Sequence, residues 1–81
     1  MKEFGRLRLV KLGVLIKEKR LEKKYTQQTL SELVGIDIRT IQRIESGTLN
    51  LSINTFIELV LKLELDAQEI INELSKVNPE N

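Results

Sequence analysis

Arg39 and Arg43 stand four residues apart in the stretch GIDIRTIQRIESG, residues 35–47, whose Ile41 and Ile44 are three apart. At about 100° per residue of α-helix, Arg39, Gln42, Arg43 and Ser46 fall within roughly 50° of the direction opposite the two isoleucines. One side of such a helix is apolar and the other is a row of hydrogen-bond donors. A guanidinium donates two parallel hydrogen bonds in a fixed fork, which matches a phosphate, a carboxylate or the O6 and N7 edge of a guanine. This is the chemistry of recognition. The chemistry of bond breaking is poorly supplied: there is no histidine to act as a base near neutral pH, no cysteine nucleophile, no glycine loop to cradle phosphate and no cluster of metal ligands. The expectation is a protein that is not an enzyme and that takes no cofactor and no metal. The plainer alternative for the two arginines is a solvated helix face, with Arg39 paired to a neighbouring acid.

Apolar spacing places the donor row on the third of five helices. The first runs from about Leu9 to Lys23 with Leu12, Leu15 and Ile16 inward. The second is capped by Thr26, carries Leu30, Leu33 and Val34 inward and stops at Gly35. The third follows Asp37 and stops at Gly47, the fourth follows Ser52, and the fifth follows Asp66 with Glu69 three residues on. Strand signals are nearly absent. The start of RLRLVKL, residues 6–12, alternates with period 2, but nothing offers to pair with it, so residues 1–11 read as a basic arm, 12–75 as the folded domain and 76–81 as a frayed tail. Helices 2 and 3 are joined through Gly35, Ile36 and Asp37 alone, too short a link for them to lie antiparallel. They must cross steeply, with Ser31 small at the crossing and Arg39, Gln42 and Arg43 left outside.

The 81 residues make one small domain, 41% hydrophobic and 31% charged, without cysteine to brace it. No apolar run is long enough for a signal peptide or a membrane span, so the default location is the cytoplasm. The net charge of +1 hides a division: residues 1–25 hold nine Lys or Arg against three Glu, and residues 26–81 hold four against nine acids. A basic flank beside a row of donors is an electrostatic footprint for phosphate.

The run TQQTLSELVGIDIRTIQRIESG, residues 26–47, resembles the helix-turn-helix of the phage-repressor and Cro-like proteins, the XRE family. The likeness extends to LGVLIKEKR at 12–20 and TFIELVLKLEL at 55–65. It implies an all-α, five-helix, lambda-repressor-like domain that binds double-stranded DNA with helix 3 in the major groove and regulates transcription. By resemblance, Asp37, Ile38, Arg39 and Arg43 match base-reading positions. Gln27, with Thr26 and Gln28 beside it, matches a phosphate contact at a helix N-terminus, and Gln42 stands among the backbone contacts. Arg20 and Glu45 match a structural ion pair. Three departures matter. Ser31 replaces the usual alanine, Lys24 replaces a glycine whose left-handed backbone costs another residue on the order of 1 kcal/mol, and GTLNLS after helix 3 lacks the usual basic residue. Lys2, Arg6, Arg8 and Lys11 of the arm are the substitutes for phosphate.

Helix 4 is apolar nearly all round: Phe56, Leu59, Val60 and Leu63 can face the core, while Ile53, Ile57 and Leu61 recur on another side. That second side calls either for a homodimer, through Ile57 and Leu61 with Ile71 and Leu74 of helix 5, or for cover by Phe4, Leu7 and Leu9 of the arm. A homodimer would demand a near-palindromic operator. Alternatives within the same fold are a restriction-modification controller, or an antitoxin with a toxin partner, and a regulator could also recruit polymerase. A further alternative is an adaptor that binds protein through helix 4.

Overall fold

The computed structural model describes Lys2–Val77, with side chains from Gly5 onward. The side chains of Lys2 and Phe4 and the tail residues 78–81 therefore lie outside the described residues. Five helices follow in order: α1 (Lys2–Glu22), α2 (Gln27–Val34), α3 (Ile38–Ser46), α4 (Ile53–Leu63) and α5 (Ala67–Ser75), with no strand among the described residues. Side chains supply the caps where the sequence places them. Thr26 Oγ1 accepts from Thr29 N, Asp37 from Thr40 N, Ser52 from Thr55 N, and Asp66 from both Gln68 N and Glu69 N.

The core is one cluster drawn from every helix: Leu12 and Ile16, Leu30, Ile41 and Ile44, Leu59 and Leu63, and Ile70. α1 is its axis, packing on α3, α4 and α5. Glycine sets the closest of these contacts. A Cβ on Gly13 would lie 2.5 Å from the Ile44 carbonyl oxygen and 2.6 Å from that of Glu45, so α3 crosses α1 at a depth no other residue allows. Gly47 ends α3 at φ +76° with Val10 Cα 2.6 Å from where its own Cβ would stand.

Three expectations are corrected. The segment 1–11 is not an extended arm: from Lys2 onward it is α-helix continuous with the rest of α1, because a period-2 run without a partner strand leaves its backbone groups unpaired and the helix satisfies them. Leu33 is 40% exposed rather than inward; α2 instead turns Ser31, buried to 4% exposure, into the crossing. Leu74, named with the α4 face, is half-buried and packs in part against the core one turn after Ile70. Among the described residues the arm leaves Ile53, Ile57 and Leu61 of α4 exposed, and its Arg8 Nε donates to the Leu74 carbonyl at 3.2 Å while Lys11 meets Glu73 at 3.7 Å, which ties it to α5.

Candidate nucleic-acid interface

The α2–α3 turn is built by a glycine cap. Gly35 stands at φ +84°, its N–H and that of Ile36 both donate to the Ser31 carbonyl, and Asp37 then starts α3. Thr40 N donates to the Asp37 carboxylate at 2.8 Å, and this bond holds the Asp37 pKa below the usual carboxylate value. Asp37 is thus engaged as the N-cap of α3.

Of the four residues in the donor row, two are occupied. Ser46 Oγ donates back to the Arg43 carbonyl at 3.1 Å, and Gln42 Nε2 donates to Gln27 Oε1 at 3.4 Å. Arg39 and Arg43 are exposed, and among the described residues neither guanidinium makes a hydrogen bond or an ion pair. Arg39 does have an acid beside it, because its charge contributes to the lowered pKa of Asp37, although the two form no ion pair. Ile38, at the start of the same helix, is 36% exposed.

Beneath this surface lies a buried polar network. Arg20 Nε donates to Glu45 Oε2 at 2.6 Å, its Nη2 donates to Oε1 at 3.2 Å, and its Nη1 donates to the Tyr25 carbonyl at 2.8 Å. The two side chains are only 8% and 4% exposed. Gln27 Nε2 adds a third bond to Glu45 Oε1 at 3.0 Å. The Gln27 side chain is thereby committed between Glu45 and Gln42, so the group it leaves at the N-terminus of α2 is its backbone N–H. Thr26 is spent on its cap, and Gln28 Nε2 donates to Glu32 at 2.9 Å. Sequence reasoning missed this engagement of Gln27.

Arg6 and Arg8 line an open groove between α1 and the turn after α3, with Val10 on its floor and Thr48 and Asn50 opposite. Sequence spacing does not show this juxtaposition, because it depends on α1 continuing as helix past Gly47. No group of residues that could hold a metal ion occurs among the described residues, and no helix there is long and apolar enough to cross a membrane.

A short glycine-capped turn, a second helix bearing two exposed arginines and a buried ion pair beneath define a helix-turn-helix DNA-binding domain. The helix-turn-helix family model matches residues 16–70, and the chain belongs to this XRE-type family of DNA-binding transcription regulators. No curated protein matches the chain. It is similar to the crystal structure of the restriction-modification controller protein C.AhdI from Aeromonas hydrophila, with a TM-score of 0.72 and 32% identity over 76% of this chain and 94% of that one.

Proposed function

We propose that the chain regulates transcription by laying α3 in the major groove of a near-palindromic operator, where Arg39 and Arg43 read guanines and Ile38 packs on a thymine methyl. The observation that carries this reading is the pair of exposed guanidinium groups, neither of them in a hydrogen bond or ion pair among the described residues and Arg39 only in the field of Asp37, on a helix whose Gln42 and Ser46 side chains are bonded within the protein. The backbone is held by the N-terminus of α2 at Thr26, Gln27 and Gln28, by Gln42 at the rim, and by Arg6 and Arg8 of α1. The protein acts on double-stranded DNA by occupancy, without catalysis, in the cytoplasm.

Two copies meet through α4. Ile53, Ile57 and Leu61 are 67%, 46% and 62% exposed, and Ile71 of α5 is 52% exposed. Twofold symmetry would set two α3 helices about 34 Å apart, one duplex turn. Selection from a random DNA pool tests the reading: it should return an inverted repeat with guanines in each half, and a pool without enrichment contradicts it. A protein-binding adaptor would show little salt-sensitive affinity for DNA, whereas a regulator shows much. Among regulators, the likeness to a restriction-modification controller makes that role the first to test, by asking whether the selected operator precedes an endonuclease gene.

A further inference from the structure

Leu7, Val10, Val14 and Leu21 form a second apolar row, on the opposite side of α1 from the core. With Lys17 they recur at three- and four-residue steps, and all five fall within roughly 60° of the direction opposite Leu12 and Ile16. Val10 and Val14 are 43% exposed, Leu21 is 54% exposed and Leu7 is half-buried. α5 holds one flank of α1 through Arg8 and Lys11, α3 crosses beside the row at Gly13, and Gly47 at the end of α3 approaches both the backbone and the Cγ2 of Val10, leaving the rest of that side chain exposed. Such a 3.5-residue repeat is the seam by which one helix packs along another.

We propose that this row is a homotypic interface in which α1 of one copy packs antiparallel against α1 of a second. The charges beside the seam choose both the occupant and the direction. Lys11 and Glu18 flank it on the same side, seven residues apart. A twofold axis near Val14 brings Lys11 of each copy to Glu18 of the other, forming two equivalent ion pairs, and sets Leu7 near the second copy's Leu21. The 3.7 Å contact with Glu73 leaves the Lys11 side chain 41% exposed and within reach of a partner. A parallel pair would instead stack Lys17 on Lys17 and bring Arg6 to Lys11. The interface is separate from the α4 face, and it shares Val10 with the groove that Arg6 and Arg8 line, so its association is read in the absence of DNA. A protomer with two such faces associates beyond a dimer.

Sedimentation of the full chain over a range of concentrations tests it, with helical circular dichroism at the parent level verifying that each variant folds. Val14→Glu should weaken one association step by roughly tenfold or more, a charge being forced into the centre of the seam. Leu61→Glu should leave that step in place, so failure of either face shows separately. Lys11→Glu and Glu18→Lys should each weaken the same step, and the two exchanged together should restore it. A Val14→Glu protein that associates as the parent does, or a double exchange that fails to restore association, overturns the proposal.

Discussion

Glu45 accepts from three donor groups on two side chains, two on Arg20 and one on Gln27, and through Gln27 it reaches Gln42 on the surface of α3. A buried pair of charges is satisfied only while every partner is present, because removing one strands the other in a medium that solvates it poorly. Arg20→Ala should therefore cost about 3 to 5 kcal/mol, a large share of the roughly 5 to 15 kcal/mol of a typical domain. Denaturant unfolding measures it, and a parent-like midpoint would exclude the pair as a structural element. Residue type and family likeness could name Arg20 and Glu45 from sequence. They could not show that Gln27 is committed to Glu45, since a bond across 18 residues depends on how α2 and α3 cross.

At the scale of elements, α1 carries two glycines with opposite expectations. Helix propensity alone favours alanine over glycine by about 1 kcal/mol. Gly5 has open space around it, so Gly5→Ala should stabilise by about that much at most. Gly13 has two backbone oxygens of α3 where its Cβ would go, so Gly13→Ala should destabilise by about 1 to 3 kcal/mol as α3 is pushed outward. Thermal melts of the two variants should move in opposite directions, and a stabilised Gly13→Ala protein would mean that α3 does not cross there. Helix ends were legible because capping chemistry is local, and so was the stop at Gly47. The start of α1 was not, since arginine and leucine alternating over residues 6–9 fit a strand period as well as a helix.

Two helices end on left-handed residues that are not glycine, Lys24 at φ 62° and Glu64 at φ 56°. An ion pair joins these two ends, with Lys23 Nζ 2.6 Å from Glu64 Oε1. The hydrogen bond from Lys23 lowers the Glu64 pKa, and the same bond raises that of Lys23. The Glu64 contribution is present above its unfolded value and is lost as pH falls through the lowered folded one. The Lys23 contribution is present below its unfolded value and is lost as pH rises through the raised folded one. The stability difference between the parent and Glu64→Gln should thus be flat from about pH 5 to about pH 10 and shrink beyond both limits. A difference unchanged into acid would show that the pair does not form.

Across the whole molecule, charge and apolar surface are laid out separately. The basic first third forms α1, whose Arg6 and Arg8 lie beside the turn after α3, while the exposed isoleucines of α4 form another surface. If α4 is the dimer face, Leu61→Glu should sediment as a lighter species than the parent at equal concentration, and equal masses would contradict it. The fold was legible in the sequence because five helical segments, four of them capped, and one tight link admit few arrangements. The exposed row on α1 was not, because its positions read as helix whether or not a neighbour covers them.

The central claim is that Arg39 and Arg43 read bases while α1 only holds the backbone. Binding of Arg43→Ala, Arg39→Ala and Arg6→Ala to the selected operator and to random DNA at matched salt tests it most directly. Each recognition variant should lose about 1 to 3 kcal/mol on the operator and little on random DNA, narrowing the gap between them. Arg6→Ala should weaken both together, with the salt slope reduced by about one. If Arg43→Ala and Arg39→Ala keep the parent's preference for the operator, the two guanidinium groups are a solvated helix face and α3 is not the recognition element.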